Sequence, residues 1–483
     1  MKKLRELLAR DHLYGERIVV DLCDNSEQAV AGSMFGALSK DVENRKIHID
    51  MAIARGAQYI LQEGENNYTK IENGVLFFFI KNVRAEWACI VSKFFTSSFE
   101  NTVAITGTNG KSSTLDILRQ IWIGQGIKAA SIGTLGVITK EGCEELPHQM
   151  TSPDCLELNK ILWRLCQNGI KNVALEATSH GIAQHRVDEI GFDICAFTNF
   201  TQDHLDYHKT FENYWNSKAR LFSELAVNRA VFVVNDDDLY AEKIREIARH
   251  RGIKCVGYGY NSSDVKIIEV SSEKLRQSVK VSFGGREFSY ILPLPGVFQV
   301  HNSLCAATIS YFSGIDMEKI LERLQQLRPI RGRLELVCMF RSAHIYIDYA
   351  HTPDALRNAI LSLRNYTRNR IITVFGCGGN RDPQKRILMG EIAEKFSDIV
   401  IISDDNPRNE DPELIRKMIL AGCPHAIEIA DRKIAIEFAM EMLSDGDTLL
   451  IAGKGHETNQ QVGKELLEFS DKEVVLKKAK IEK

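Results

Sequence analysis

The segment that most constrains the fold is a glycine-rich turn, TGTNGKSS, from Thr106 to Ser113. A strand-like run, NTVAI, precedes it, and apolar residues recur at helical spacing after it, at Leu115, Leu118, Ile121 and Trp122. Glycines let backbone N–H groups point toward an anion, a lysine adds a positive charge, and a hydroxyl at the helix N-terminus can bind Mg²⁺. A strand, a turn and a helix in this order therefore predict a phosphate-binding loop in a parallel α/β sheet.

The turn departs from the general P-loop pattern, because Ile105 stands where the first glycine belongs and only two residues separate Gly107 from Gly110. A tight strand-to-helix turn without a ligand is the alternative interpretation. A second glycine-rich segment, GCGGNRD at 376–382, fails the dinucleotide-binding pattern, since Arg381 stands where its last glycine belongs. Alone, this second segment indicates no more than an anion-binding turn.

Strand-like and helix-like segments alternate along the chain, whose 483 residues are too many for one hydrophobic core. Length alone suggests about three domains. We predict an α/β fold with a small N-terminal α/β domain at 1–98, a central P-loop-type ATPase domain with a parallel sheet at 99–330, and a Rossmann-like C-terminal domain at 331–483. The segment RPIRGR, at 328–333, is the predicted linker between the last two.

Composition excludes several classes of protein. The 61 basic and 64 acidic residues give a net charge of -3, which argues against an extended nucleic-acid-binding surface. The eleven cysteines lack metal-ligand spacing and favour a reducing compartment. Charges interrupt the N-terminal apolar residues, and no apolar run reaches the ~18 residues that span a bilayer. We therefore expect a cytoplasmic, monomeric protein that acts on small molecules, without nucleic-acid or membrane partners.

Polar residues are concentrated in three further stretches, at 174–186, 197–222 and 347–356. Each stretch lies at or just beyond the end of an apolar strand, where ligands of open α/β sheets bind. Taken singly, these residues have ordinary structural explanations: Glu176 could end a strand, His204 could be a loop histidine, and Lys218 could lie on a solvated helix surface. Residue type alone therefore does not assign them a function.

The order of the motifs changes this interpretation, because it resembles the Mur ligase family almost from end to end. The motifs that carry the resemblance are TGTNGKS, EATSHG, FTNFTQDHLDYH, the lysine of NSKARLF, HNSLCAA, GRLE, DYAHTPDAL, FGCGGNRD, DNPR and AGKGHE. The resemblance implies an ATP-dependent ligase that joins meso-2,6-diaminopimelate to the D-glutamyl γ-carboxylate of UDP-N-acetylmuramoyl-L-alanyl-D-glutamate. The amide would form through an acyl phosphate, in the synthesis of peptidoglycan precursors.

By the same resemblance, the nucleotide and its metal have assigned residues. The ATP-binding residues would be Gly107, Thr108, Asn109, Gly110, Lys111, Ser112, Ser113, Asn302, Arg333 and Asp348. Mg²⁺ would be held by Ser112, Glu176, His204 and Lys218, the last as a carbamate formed with CO₂. Lys111, Glu176, His204 and Lys218 would be the catalytic residues, and catalysis would require domain closure.

The two other substrates also have implied sites. The UDP-muramoyl dipeptide would contact Ser26, Thr151, Ser152, Thr178, Gln184 and Arg186. In the first domain the chain departs from the family pattern, with Glu27 in place of arginine and Asn44-Arg45 in place of Asp-Gly. Diaminopimelate would contact Arg381, Asp405, Asn406, Pro407, Arg408, Gly453 and Glu457.

Arg408 is the residue expected to select diaminopimelate over lysine, because its guanidinium can bind the extra carboxylate through two parallel hydrogen bonds. Asn406 is expected to accept from the neighbouring ammonium group and to donate to the carboxylate. A surface turn in which Arg408 pairs with Asp411 is the alternative.

Three other functions stay open from sequence. The same ligation could use L-lysine, or the chain could be a ligase like folylpolyglutamate synthase, which has a similar phosphate loop. From another class, a nucleotide-binding switch or motor needs only that loop. The acceptor that makes the protein release phosphate from ATP distinguishes them.

Overall fold

The computed structural model describes residues 1–8, 14–146, 151–273 and 275–481. The chain divides into two compact units. The first unit comprises Met1–Thr106, Ile127–Cys195 and Ser217–Ala230, and the second comprises Gly107–Gly126, Ala196–Asn216 and Val231–Lys483. The fold is mixed α/β with parallel sheets, as the alternation of segments predicts.

The N-terminal part of the first unit is a small α/β layer. Its strands are β1 (Lys2–Lys3), β2 (Ile18–Val19), β3 (Leu22–Cys23), β4 (Met34–Ala37), β5 (Tyr59–Glu63), β6 (Tyr68–Glu72) and β7 (Val75–Ile80). Its helices are α1 (Leu4–Leu7), α2 (Val42–Ala54) and α3 (Val83–Phe94). The sheet order is β3-β4-β5-β7-β6, parallel except for β6. The fully buried Trp87 of α3 packs in its core.

The middle of the chain begins with strand β8. The strands are β8 (Asn101–Thr106), β9 (Ala129–Gly133), β10 (Gly136–Ile138), β11 (Cys143–Glu144), β12 (Asn172–Glu176), β13 (Phe192–Phe197), β14 (Ala226–Asn235), β15 (Lys254–Gly259), β16 (Val265–Glu273), β17 (Arg276–Phe283) and β18 (Arg286–Leu292). The helices are α4 (Lys111–Gly124), α5 (Cys155–Gln167), α6 (Ser179–Ala183), α7 (Leu205–His208), α8 (Phe211–Arg220), α9 (Ala241–Arg251), α10 (Val297–Phe312) and α11 (Met317–Leu324).

Two strand patterns occur in this part. In the first unit, β9, β12 and β8 pair in parallel, which is the predicted arrangement around the phosphate loop. In the second unit, β15 pairs in parallel with β16, but β16, β17 and β18 form an antiparallel meander. These three strands, like β10 and β11, depart from the predicted parallel pairing; the Gly284-Gly285 turn connects β17 directly to β18, which requires the two strands to be antiparallel.

The C-terminal part, within the second unit, has one six-stranded sheet. Its strands are β19 (Glu335–Phe340), β20 (Ala343–Asp348), β21 (Ile371–Phe375), β22 (Ile399–Ile402), β23 (Ile427–Glu428) and β24 (Thr448–Ala452), followed by the hairpin of β25 (Asn459–Val462) and β26 (Glu465–Glu468). Its helices are α12 (Pro353–Arg364), α13 (Gln384–Phe396), α14 (Pro412–Leu420), α15 (Arg432–Glu441) and α16 (Asp471–Ile481).

This sheet has the order β19-β20-β24-β21-β22-β23 and is parallel except for β19. Apolar clusters cover both of its faces. The carboxyl ends of β20, β21, β22 and β24 lie at one edge, and each is followed by a polar loop that is predicted to bind a ligand. Among the described helices, none is long and apolar enough to cross a bilayer.

Candidate active site

The phosphate loop leads into helix α4 through Gly110, whose φ of 85° lies in the left-handed region. A Cβ atom on Gly110 would overlap the Oδ1 atom of Asn302, the predicted nucleotide-binding residue of α10. Side chains are therefore excluded here both by backbone strain and by lack of space. The apolar residues predicted at helical spacing are buried on α4, which confirms the strand–turn–helix unit.

The loop is held in shape by Asn199, which follows β13. The Asn199 carbonyl accepts from the Thr108 backbone N–H at 2.9 Å, and its Oδ1 accepts from the Asn109 N–H at 2.8 Å. Thr198 Oγ1 donates to the Asn109 carbonyl at 2.6 Å. Both residues belong to the FTNFTQDHLDYH motif, but the sequence assigned them no role. Their hydrogen bonds fix the loop before a ligand binds.

Two cationic side chains lie at the start of α4. Lys111 Nζ donates to the carbonyls of Gly107 and Thr108 at 3.0 and 2.8 Å. Arg333 donates from NH2 to Ser112 Oγ at 2.9 Å. A helix N-terminus with two cations favours an anion, so the second unit brings these predicted ATP-binding residues together. Ser113, the next residue of the helix, is buried.

Asp348 ends strand β20 beside Arg333. Its Oδ2 accepts from the Leu334 N–H at 2.5 Å and its Oδ1 from the Ala350 N–H at 2.7 Å. Burial raises the pKa of Asp348 to about 6, although Arg333 and the two N–H groups partly offset this rise. The Arg333 guanidinium lies 4.3 Å from the centre of the Tyr349 ring. Asp348 therefore anchors the turn that presents Arg333.

His204 follows a buried carboxylate that sequence reasoning missed. His204 has a left-handed backbone with φ of 54°, and its Nε2 lies 3.2 Å from Asp203 Oδ2. Burial alone would raise the pKa of Asp203, but His204, Lys385 and His351 lower it below its usual range. Burial and Lys385 in turn lower the pKa of His351 to about 4. The signal for Asp203 was its place directly before the histidine of DHLDYH.

The loops after β21 and β22 pack against each other, which joins the FGCGGNRD and DNPR motifs. Gly379 N–H donates to the Asn406 carbonyl at 2.9 Å, and Arg408 NH1 donates to the Gly379 carbonyl at 2.9 Å. A Cβ on Gly379 would overlap the carbonyl oxygen of Pro407, which is buried. Only glycine allows the two loops to approach this closely.

Charges of both signs meet around Arg408, whose φ of 51° is left-handed. Burial lowers the pKa of Arg408, and the like charge of Arg381 lowers it further, while Asp405 and Glu457 oppose this. Burial also raises the pKa of Glu457. The side chain of Arg381 is exposed, whereas Asp405 is buried. Two guanidinium groups thus share the site with two carboxylates.

The loop after β24 completes this group. Gly453 N–H donates to the Asp348 carbonyl at 3.1 Å, and a Cβ on Gly453 would lie 2.6 Å from Asp405 Oδ2. Asn406 Nδ2 donates to Glu457 Oε2 at 2.9 Å. The predicted diaminopimelate-binding residues therefore lie in adjoining loops at one edge of the sheet.

In the structure, Arg408 does not pair with Asp411, as the surface-turn alternative requires. Asp411 instead caps helix α14, where its Oδ1 accepts from the Glu413 N–H at 2.9 Å. Arg408 is half-buried, and its guanidinium group donates to the Gly379 carbonyl. This arrangement favours a binding role for Arg408 over a solvated ion pair.

In the first unit, the residues predicted for the UDP-muramoyl dipeptide form a hydrogen-bonded group. Ser152 Oγ lies 3.0 Å from Thr178 Oγ1, and Thr134 Oγ1 donates to Thr151 Oγ1 at 3.1 Å. Arg186 donates from NH1 to the Ser152 carbonyl at 2.7 Å. It also donates from NH2 to Gln184 Oε1 at 2.8 Å. The structure thus connects four of the six predicted positions with each other, whereas Thr151 bonds to Thr134.

A cavity of 370 Å³ in the first unit is lined by Ser26, the remaining predicted position, together with Gln184 and Arg186. Other polar side chains that line it are Asp24, Arg45, His48, Arg84 and Asp154. Ser26 Oγ lies 3.0 Å from His48 Nδ1. Arg45 is one of the positions that depart from the family pattern, so its place in the cavity could not be predicted from the motif.

Glu176 and Lys218 are both buried in the first unit. Glu176 ends β12 and its Oε1 accepts from the Thr134 N–H at 2.8 Å. Lys218 is 1% exposed, so the prediction that it lies on a solvated helix surface is wrong. Tyr214, Lys218 and Leu221 are spaced i, i+4 and i+7, and all three are buried. This spacing was a readable signal for a buried face of the helix.

Comparisons with known proteins agree with this arrangement of motifs. The family model described as the Mur ligase middle domain matches residues 105–310. The model described as the Mur ligase, glutamate ligase domain matches residues 332–455. A UDP-N-acetylmuramoyl-L-alanyl-D-glutamate--2,6-diaminopimelate ligase of Chelativorans sp. (strain BNC1) is 40% identical over 462 residues, which cover 95% of each chain. The protein of the same name from Agrobacterium fabrum is 39% identical over 98% of this chain and 95% of its own.

Solved structures are similar over nearly the same length. The structure of a UDP-N-acetylmuramoyl-L-alanyl-D-glutamate--2,6-diaminopimelate ligase matches with a TM-score of 0.71 and 29% identity, covering 99% of both chains. The folylpolyglutamate synthase of Mycobacterium tuberculosis, complexed with ADP and AMPPCP, has a TM-score of 0.65. Its 16% identity over 77% of this chain and 92% of its own shows a similar fold alone. The matched models and relatives together show that the chain belongs to the Mur ligase family.

Proposed function

We propose that this protein is the ATP-dependent ligase that adds meso-2,6-diaminopimelate to UDP-N-acetylmuramoyl-L-alanyl-D-glutamate in peptidoglycan precursor synthesis. The relatives named above carry this activity in their names and cover 95% or more of this chain. Solved structures of similar fold contain ADP or AMPPCP, which supports ATP as the co-substrate.

The reaction has two steps. An oxygen of the D-glutamyl γ-carboxylate attacks the γ-phosphorus of ATP, and ADP leaves, which gives an acyl phosphate. An amino group of diaminopimelate then attacks the acyl carbon, phosphate leaves with the bridging oxygen, and the amine loses a proton as the amide forms. Two anions must approach each other in the first step, so positive charge around the phosphates lowers the barrier.

The second unit supplies this charge. Lys111, Arg333 and the backbone N–H groups at the start of α4 would hold the phosphates. Asn302 and Asp348 would position the nucleotide, as the resemblance implies. ATP would displace the contacts that Lys111 makes with its own loop, because a phosphate oxygen is a stronger acceptor for an ammonium group than a backbone carbonyl.

The residues that the resemblance assigns to Mg²⁺ include the oxygen donors that this ion prefers. Ser112 and Glu176 provide a hydroxyl and a carboxylate, and His204 adds an imidazole. When bound, Mg²⁺ neutralises phosphate charge. Lys218 would join this set as a carbamate, because CO₂ converts its amine into a carboxylate. Lys218 is buried, and a lysine is rarely buried unless its charge is paired or, as a carbamate would do, removed.

The first unit would bind the UDP-muramoyl dipeptide. Its cavity contains Ser26, Gln184 and Arg186, and Arg45, His48 and Arg84 add basic groups suited to a diphosphate. This cationic lining supports an anionic nucleotide sugar over a neutral one. Thr151, Ser152 and Thr178 would contact the peptide end of the same substrate.

The observation that carries the choice of diaminopimelate is the packing of the loops that hold Arg408, Asn406 and Glu457, in which Arg408 donates to the Gly379 carbonyl and Asn406 to Glu457. An amino acid with a second ammonium–carboxylate pair needs both signs of charge at its distal end. Lysine offers only an ammonium group there, so the half-buried guanidinium of Arg408 would gain no carboxylate partner from it. The pocket therefore suits diaminopimelate better.

We further assign residues 1–98 to the UDP-muramoyl substrate, 99–330 to ATP and 331–483 to the amino acid. The protein would act as a monomer in the cytoplasm, where ATP and nucleotide-linked precursors are found.

An acceptor panel tests the function. The purified protein is incubated with ATP, Mg²⁺ and the UDP-muramoyl dipeptide, and phosphate release is measured with diaminopimelate, L-lysine or no amine. A second arm replaces the dipeptide by a folate and the amine by glutamate. We expect release only with the dipeptide and diaminopimelate together. Preference for lysine or for folate would contradict the proposal and favour the corresponding alternative.

A further inference from the structure

Lys454, between Gly453 and Gly455 of the AGKGHE motif, is fully buried. Its ammonium group donates to Asn406 Oδ1 at 3.1 Å, to Glu457 Oε2 at 2.9 Å and to the Asn459 carbonyl at 2.7 Å. An ammonium group has three N–H donors, so these three bonds use all of them. Lys454 therefore has no donor left for a substrate, and any functional role must act through its neighbours.

These bonds decide which way the Asn406 amide points. Asn406 Oδ1 accepts from Lys454 Nζ and from the Gln461 backbone N–H, the latter at 2.9 Å. Both partners are donors only, so the amide nitrogen cannot occupy this position. The nitrogen instead donates to Glu457 Oε2 at 2.9 Å. The hydrogen bonds accepted by its oxygen and donated by its nitrogen thus fix the orientation of the Asn406 side chain.

The fixed amide changes the role expected from sequence. With both acceptor positions of its oxygen used, Asn406 cannot accept from an ammonium group of the substrate. Its amide nitrogen has a second N–H, which suits the substrate carboxylate beside Arg408. Glu457 Oε2 is held by Lys454 and Asn406, so Glu457 Oε1 is the oxygen that suits the substrate ammonium.

Lys454 also joins the β25–β26 hairpin to the DNPR loop through Asn459. Beside this bond, Gln460 Nε2 donates to the Asp405 carbonyl at 2.6 Å, and the Arg408 N–H donates to the Gln461 carbonyl at 3.1 Å. The hairpin therefore holds the backbone of the loop independently of Lys454. Loss of the lysine should disturb the side chains of Asn406 and Glu457 more than the loop itself.

We propose that Lys454 is a positioning residue that sets the hydrogen-bond polarity of the amino-acid pocket, making Asn406 a donor to the distal carboxylate and Glu457 the acceptor for the distal ammonium. The inference rests on the proposed function, because diaminopimelate supplies these two groups. Without Lys454, Asn406 can rotate its amide and Glu457 loses its charged partner. The pocket then presents the wrong groups to the substrate.

Lys454→Met tests this role, with Lys417→Met as the matched control. Methionine keeps a long, unbranched side chain at this position but removes all three N–H donors. The control removes a lysine that pairs with Glu413 at 2.6 Å on the exposed face of α14. We expect Lys454→Met to raise the KM for diaminopimelate at least 30-fold, with the KM for ATP within twofold of the parent and kcat changed less than fivefold. The preference for diaminopimelate over lysine should fall at least tenfold, whereas the control should match the parent.

Two further variants test the same role if Lys454→Met does not fold. Lys454→Arg keeps the charge and Lys454→Gln keeps N–H donors without charge, so the KM for diaminopimelate should rise in the order parent, arginine, glutamine. Equal KM values in all folded variants, or parallel rises in the KM for ATP and diaminopimelate, would overturn the positioning role. A parent protein that does not ligate diaminopimelate would instead contradict the proposed function, which separates the two failures.

Discussion

At the residue scale, selectivity for diaminopimelate depends on Arg408. Its left-handed backbone and its bond to the Gly379 carbonyl fix the direction of a half-buried guanidinium group. Arg408→Ala should cost on the order of 2–5 kcal/mol in kcat/KM for diaminopimelate, because a substrate carboxylate would lose its charged partner. ATP-binding parameters should be unchanged. Steady-state kinetics with diaminopimelate and lysine as competing amines measure both effects.

The control for this experiment is Arg368→Ala, which removes an exposed arginine paired with Asp445 at 3.0 Å. It should leave both amines and ATP unaffected. The selectivity role is falsified if Arg408→Ala keeps the parent's preference for diaminopimelate over lysine.

Lys218 is a second residue with a specific consequence. Lys218→Ala should abolish ligation, and because the side chain is buried it should also lower the free energy of unfolding by about 1–3 kcal/mol. Short-chain carboxylic acids should partly restore ligation but not stability, since they replace only the carbamate. Activity assays and thermal unfolding, with exposed Lys171→Ala as control, separate the two effects. Parent-like ligation by the alanine variant in CO₂-depleted buffer would refute the carbamate.

Asp24, in the cavity of the first unit, gives a pH-dependent prediction. Burial raises the pKa of Asp24 from 3.8 to about 6, with Asp154 adding to the rise. Between these values the folded protein binds the proton more tightly than the unfolded chain, so this contribution to stability falls as pH rises through about 4–6. Asp24→Asn should therefore gain stability relative to the parent, by about 1–3 kcal/mol between about pH 4 and pH 7.

Denaturant unfolding of both proteins across this pH range measures the difference. Asp50→Asn, which removes an exposed carboxylate of α2, is the control variant. A constant difference between Asp24→Asn and the parent at all pH values would show that burial does not perturb Asp24.

Residue types at the site were largely predictable from sequence, but their surroundings were not. The motif order named Arg408, Asn406 and Glu457, and the structure places their loops together. The atom roles of Asn406 depend on Lys454 and Gln461, which lie 48 and 55 residues away in sequence. Such long-range hydrogen bonds leave no local pattern, so sequence could not assign them.

At the element scale, the shape of the proposed amino-acid pocket depends on the close packing of two loops. The loops after β21 and β22 touch through their backbones at Gly379 and Pro407. Helix α13, at Gln384–Phe396, lies between these two loops in sequence and has Met389, Gly390 and Ala393 among its buried residues. At the edge of the sheet, β23 pairs with β22 over only two positions, so Ile427 and Glu428 alone of the apolar-rich segment at 425–430 form a strand.

Gly379→Ala tests the loop packing. The added Cβ would overlap the Pro407 carbonyl oxygen and lie 3.3 Å from the Glu410 Cβ, so the two loops must separate. We expect a loss of about 1–3 kcal/mol in unfolding free energy and a higher KM for diaminopimelate, with the KM for ATP unchanged. Calorimetry and kinetics provide these values. Gly142→Ala, where a Cβ meets nothing within 4 Å, is the control, and similar behaviour of both variants would contradict the argument.

At the scale of the whole molecule, each predicted substrate has its own group of residues. The first unit holds the cavity with Ser26 and Arg186, and the second holds the phosphate loop and the amino-acid pocket. The α/β class and the parallel strands followed from alternating apolar segments. The antiparallel meander of β16 to β18 did not, because strand direction depends on which strands become neighbours and not on the periodicity of each strand.

The central claim is that ATP activates the D-glutamyl γ-carboxylate for attack by diaminopimelate. The most direct measurement uses UDP-muramoyl dipeptide whose γ-carboxylate carries ¹⁸O, with mass spectrometry of the phosphate and of the ligated product. The account predicts one ¹⁸O atom transferred to each phosphate released and a product heavier by one diaminopimelate residue, only when ATP and diaminopimelate are both present. Phosphate without ¹⁸O, or label found in AMP, would contradict the acyl-phosphate route.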